Sequence, residues 1–207
     1  MKYEWRKKEK EIYLPPKKPQ RIKIPSFQYF LVDGQGNPND PLFGEYIGAL
    51  YSVSYAIRMS YKNGFSPPDF YEYTVYPLEG FWDISEEAKK NYTGVIDKDS
   101  FVFKLMIRQP DFVTDSLAKE ALERTLKKKP NKFLKKVKFC EIEEGESVQM
   151  MHLGSYDNEP ETFRIMETFC QENNLVRKSK QHKEIYISDP RKVATEKLKT
   201  VLRFKVK

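Results

Sequence analysis

The stretch Lys183-Glu184-Ile185-Tyr186-Ile187-Ser188, stopped by Asp189-Pro190, reads as a β-strand with two unlike faces. Side chains alternate across a strand, so Ile185 and Ile187 share one face, and Glu184, Tyr186 and Ser188 share the other. The first face suits a helix-covered core. The second places a carboxylate beside a ring. An earlier stretch, Tyr71-Glu72-Tyr73-Thr74-Val75, has the same pattern and is broken at Pro77. It too places a Glu second, here followed by Thr74 and Tyr76 on the same face.

Working outward from these two stretches, a similar order of elements appears twice. A strand over Phe27–Asp33 ends at the turn Gly34-Gln35-Gly36-Asn37-Pro38. A helix follows over about Pro41–Tyr61, with Gly48, Ser52 and Ala56 as a small-residue stripe and Leu50, Val53, Ile57 and Tyr61 beside it. The Tyr71 strand and a strand over Phe101–Ile107 complete the first set. A helix over 111–128, capped by Asp111 or Thr114, and a lysine-rich linker lead to the second. There a strand over Ser147–Leu153 ends at Gly154, and a helix spans about Glu159–Glu172. The Lys183 strand and a last strand over Lys199–Val206 follow. The expected fold is α+β: two pseudo-twofold-related β-α-β-β units forming an antiparallel sheet, with helices on one side and a central groove. A basic arm occupies residues 1–23 and a single domain residues 24–207. Its halves run over about 24–109 and 139–207, joined by the helix and linker at about 110–138.

Charge narrows the function classes. The net charge is +7. Residues 1–24 carry +6 and residues 127–138 carry +7, whereas residues 25–126 carry −6 and residues 139–207 balance. The excess therefore lies in an arm and a linker, with no interleaving of basic and aromatic residues typical of nucleic-acid readers. We expect no nucleic-acid partner. No apolar run approaches the roughly 20 residues of a membrane span, and no secretory signal opens the chain, so a cytoplasmic protein with no membrane association is expected. Cys140 and Cys170 are too few for a disulfide framework. With His152 and His182 they match no zinc spacing, so neither metal nor cofactor is expected. Nothing resembles a Ser-His-Asp or Cys-His arrangement.

Several blocks in order carry a family resemblance: "YLPPKKP", "VDGQGNPN", "YTVYPLEGFW", "FKLMIRQPDFVT", "VQMMHLGSYDNEP" and "HKEIYISDPRK". Together they resemble the GyrI-like small-molecule-binding domains, in particular stand-alone bacterial members. The resemblance implies a groove that binds bulky aromatic or cationic compounds, with Glu184 matching the family's groove glutamate. It further implies that some members hydrolyse cyclopropane-bearing DNA-alkylating toxins. The chemical candidates are Glu184, Glu79 and Tyr186. The ligand-binding candidates are Trp82, Tyr55, Tyr51, His152, Tyr156 and Tyr76; Tyr76 stands where the family pattern has a proline. The first expected function is binding of drug-like or toxin-like molecules, for sequestration or sensing. The second is hydrolysis by water activated at a groove glutamate. A protein partner stays open.

Overall fold

A computed structural model describes residues 2–207. The elements are α1 (Trp5–Lys8), α2 (Lys10–Tyr13), β1 (Gln20–Gln35), α3 (Pro41–Arg58), β2 (Leu78–Ile84), α4 (Glu86–Lys90), β3 (Phe101–Arg108), α5 (Asp115–Lys128), β4 (Lys138–Leu153), α6 (Glu159–Glu172), β5 (His182–Tyr186) and β6 (Lys199–Lys205). β4, α6, β5 and β6 follow in the expected strand-helix-strand-strand order, whereas in the first set α4 stands between β2 and β3. The named strand pairs are antiparallel. The hydrogen-bonded neighbour order is β1-β3-β2-β5-β6-β4, and this order is closed rather than an open sheet. No described helix is long and apolar enough to cross a membrane.

The chain divides into two compact units. The first holds residues up to Glu4, Phe27–Leu78 and Trp82–Ile142; the second holds Trp5–Ser26, Glu79–Phe81 and Glu143–Lys207. In the first unit α3 begins where Asp40 accepts a hydrogen bond from the Leu42 amide, with Pro41 in the first turn. Its buried face is Tyr46, Ala49, Leu50, Val53, Ser54 and Ile57, which takes in Leu50, Val53 and Ile57 of the expected apolar stripe, whereas Tyr61 lies past the end of α3 and is exposed. α5 is capped by the Thr114 hydroxyl.

One expected strand is absent. Residues 71–76 form no strand apart from a bridge between Tyr3 and Tyr73. The Tyr3 amide donates to the Glu72 carbonyl, the Thr74 amide donates to the Tyr3 carbonyl, and Arg58 Nε donates to the Tyr73 carbonyl. The backbone groups that would build a ladder are thus taken by the N-terminal segment and a helix side chain. The strand forms after Pro77, as β2. Glu72 is consequently an exposed residue paired with Arg58, not a counterpart of Glu184.

β1 also runs two residues into the expected turn, to Gln35. Gly34 sits opposite Phe103 in the β1–β3 ladder. A β-carbon at Gly34 would lie 2.2 Å from the Phe103 ring, and that ring is held against Phe43, Tyr46 and Trp82. Gly34→Ala should therefore destabilise by about 1–3 kcal/mol, as overpacking does, read as a lower urea midpoint with an unchanged slope.

In the second unit β4, β6 and β5 pair antiparallel, with Met150 opposite Leu202 and Glu184 opposite Leu202 on the other side. The inner faces of β4 and β6 pack on Met166 and Cys170 of α6 in a core with Val148, Phe204 and Val206. Trp5 and Tyr13, two of the N-terminal aromatics, are buried and tilt against each other 5.1 Å apart.

Candidate functional site

The alternation of the Lys183 stretch is realised in β5, but the helix covers the other face from the one expected: Glu184 pairs with Leu202, which packs on α6, and Ile185 pairs with Val201. Ile185 and Ile187 are buried, and so is Lys183 on the same face. Glu184 lies on the opposite face, 9% exposed. The Tyr186 hydroxyl donates to Glu184 Oε2 at 2.7 Å. His182 Nε2 donates to Oε1 at 3.1 Å. Residues i and i+2 on one strand face are neighbours, so the motif itself supplies both donors. The His182 ring meets Phe163 of α6 edge-on at 4.7 Å.

A second carboxyl enters from α6. Glu159 opens that helix and is 7% exposed. Its Oε1 is buried without a hydrogen-bond partner. Burial first, then the neighbouring Glu184 and Asp157, hold its carboxyl well above the ordinary range. One ligand-type atom each from Glu159, His182 and Glu184 lies within 4.8 Å of the others. No lysine or arginine side chain pairs with Glu159 or Glu184 among the described residues.

Tyr156 precedes α6, and its ring meets Tyr186 edge-on at 6.1 Å. Its hydroxyl is pushed up to about 12 by burial, with Glu184, Glu159 and Asp189 adding to the shift. It therefore stays a proton donor at neutral pH. His152 is buried, with Nδ1 at 2.8 Å from Thr162 Oγ1 and Nε2 at 2.9 Å from the Ser155 carbonyl. Both ring nitrogens are occupied in fixing the turn that carries Tyr156 into α6.

Glu79 has other company. It is 1% exposed, with Oε2 2.6 Å from Lys183 Nζ and Oε1 accepting from the Tyr13 hydroxyl at 3.4 Å. Lys183 also bonds Glu144, which Arg203 meets from the other side. Its charge is neutralised within this network, so it is poorly placed to accept a proton.

The remaining candidates lie in the first unit. Trp82 is buried among Phe43, Phe101 and Phe103. Tyr76 is buried under the Arg108 guanidinium, 4.6 Å above its ring. Tyr51 and Tyr55 lie 6.2 Å apart on α3, and Tyr55 is 53% exposed. A cavity of about 410 Å³ in this unit, between Ser85, Tyr92, Ile96 and Asp99, is lined by none of the candidates.

Glu184, Tyr186, Tyr156 and His152 thus come together in one unit, and Glu159 and His182 join them. Glu159 looks in the sequence like any helix-opening acid, and His182 like the flank of a strand. Their convergence on Glu184 is set by the packing of α6 on β5, which no local spacing encodes.

The sequence model of the GyrI-like small molecule binding domain matches residues 17–207. The chain belongs to this family. None of the curated proteins compared matches it. Among solved structures, the chain is similar to an uncharacterised conserved protein from Listeria innocua, at 37% identity and a TM-score of 0.91. It is also similar to two crystal structures of hydrolases from that bacterium. One has 36% identity and a TM-score of 0.89, the other 39% and 0.88. In all three the match covers 100% of both chains. Membership of the family makes small-molecule binding the domain's role.

Proposed function

We propose that the site around Glu184 binds bulky aromatic or cationic small molecules. The observation that carries this is an imbalance of buried charge. Within the second unit the buried carboxylates Glu79 and Glu144 are matched by Lys183 and Arg203. Among the described residues the buried pair Glu159 and Glu184 has no lysine or arginine, and His182 is the basic group beside Glu184. A carboxylate out of water without a counter-charge favours any cation that reaches it. The faces and edges of Tyr156 and Tyr186 suit a flat partner. Rhodamine 6G, a fluorescent lipophilic cation, tests this by polarisation with EDTA present. Glu184→Gln should weaken its binding tenfold or more and leave a neutral apolar dye of similar size unaffected. Equal binding of the cation by both proteins would overturn the reading.

A second reading, hydrolysis of strained electrophiles, is favoured by how Glu184 is held. Its two oxygens are oriented by Tyr186 and His182, as a general base requires. The two hydrolases from Listeria innocua at 36% and 39% identity support it. On a cyclopropane conjugated to a carbonyl, Glu184 takes a proton from water and the water oxygen bonds to a ring carbon. The ring carbon–carbon bond breaks and its electron pair passes to the carbonyl oxygen, which Tyr156 hydrogen-bonds as charge grows. That oxygen ends protonated, so one water is added and nothing else is consumed. Tyr186, whose hydroxyl is bonded to Glu184, positions the base.

A further inference from the structure

We infer that Glu159, His182 and Glu184 form a binding site for one divalent transition-metal ion of the zinc class. Three observations meet here. First, one donor atom from each residue lies within 4.8 Å of the other two. Ligand atoms around tetrahedral zinc sit roughly 3.3–3.5 Å apart for bonds of about 2.0–2.1 Å. Closing that gap needs side-chain adjustment of about an ångström, with no change of fold. Second, one nitrogen and two carboxylates are a donor set that zinc accepts while keeping a position for water. Third, Glu159 Oε1 is buried with no hydrogen-bond partner. An ion between the carboxylates would give that oxygen a partner.

The surroundings are those of a supported ligand set. Tyr186 holds the second oxygen of Glu184, and Phe163 holds the plane of His182, the outer contacts that orient ligands. In the ion-free protein His182 Nε2 donates to Glu184. On binding, the ion takes that nitrogen's lone pair and the hydrogen moves to Nδ1. The inference stands on these three side chains and does not rest on the hydrolysis reading. An ion here would compete with an organic cation for the same carboxylates.

The test is titration of the full chain with zinc against a chromophoric chelator, with no small molecule present. The expected result is one zinc per chain, and at least tenfold weaker binding in Glu159→Gln and in His182→Gln. Cys140→Ser and Cys170→Ser should bind as the wild type does. Absence of a saturable 1:1 site, or equal affinity in both ligand variants, overturns the proposal. Circular dichroism checks each variant. If Glu159→Gln is unfolded, Glu159→Asp, which shortens the ligand, should show the same loss. Zinc should also displace rhodamine 6G from the wild type, and no displacement by bound zinc counts against a shared site. Because the dye assay uses EDTA, failure of the metal proposal leaves the small-molecule reading standing, and the converse holds.

Discussion

Replacing Lys183 by methionine should cost about 3–5 kcal/mol of stability, the range for breaking a buried ion pair by deleting one partner. Lys183 is a β5 residue on the Ile185 face, with its side chain fully buried. Its ammonium lies 2.6 Å from Glu79 Oε2 and 2.7 Å from Glu144 Oε1. Arg203 supplies the second cation, bonding Glu144 Oε1 at 3.1 Å, Gln149 Oε1 at 2.8 Å and the Ile12 carbonyl at 2.9 Å. Gln149 in turn donates to the Glu11 carbonyl. Two carboxylates therefore face two cations, and the network reaches the N-terminal helices. Without Lys183, Glu79 keeps only the Tyr13 hydroxyl at 3.4 Å, far too little for a buried charge. The loss comes from the stranded anion, so Glu79→Gln in the same chain should restore much of it. A double-mutant cycle by urea denaturation reads this directly. A simple additive outcome would remove the network from the account.

The same network fixes a pH dependence. Burial alone would raise the Glu144 carboxyl, but Lys183 and Arg203 outweigh it and hold it below its ordinary value of 4.5. A carboxyl with a depressed folded value contributes stability above its unfolded value, and that contribution is lost as pH falls through the folded one. Wild-type stability should therefore fall with acid below about pH 4.5. The penalty of Lys183→Met should be largest at neutral pH and shrink as pH falls, first above about pH 4.5, where carboxyls stranded by burial take up protons in the variant, and then below it, where the wild type loses the contribution of Glu144.

How much of this could be read from the residues differs from element to element. The alternation of 183–188 is a strict period of two, and it separated Ile185 and Ile187 from Glu184, but it gave the helix-covered face to the isoleucines, whereas Glu184, paired with Leu202, lies on the face that packs on α6. The same alternation places Lys183 inward, yet a lysine inside a strand has no meaning until Glu79 and Glu144 are known to surround it. Both lie far away in the chain. α3 and α6 were legible because Asp40-Pro41 and Asn158-Glu159-Pro160 mark their starts and an apolar stripe follows. Residues 71–76 misled because aromatic and β-branched composition reports a half-buried extended backbone, not its partner. Here the partner is Tyr3. Glu184 was singled out as an acid beside a ring, and the structure buries it against Tyr186. Glu79 shared its motif-level credentials, and only the geometry shows its charge neutralised by Lys183.

For a neutral aromatic substrate carrying a cyclopropane conjugated to a carbonyl, Glu184→Gln should lower turnover about 10²–10⁴-fold, the usual contribution of a positioned general base. Binding should change little, since a neutral ligand gains nothing from the charge. The substitution keeps the shape; its one amide oxygen accepts from Tyr186 or His182, and its amide nitrogen donates to the other, to the hydroxyl oxygen or to the second imidazole tautomer, so the fold should change little. This separates the carboxylate's two uses: holding a cation needs only its charge, whereas activating water needs a site for the proton. Tyr156→Phe gives the complementary signature. It deletes the donor at the developing oxyanion, so product formation should fall while Glu184 still activates water. Ring-opened product is counted by mass spectrometry under single-turnover conditions with EDTA present. Wild-type turnover retained in Glu184→Gln would remove Glu184 as the base. If the wild type instead returns the ligand unchanged, the hydrolytic reading falls, and Glu184 keeps the binding role that its uncompensated charge supports.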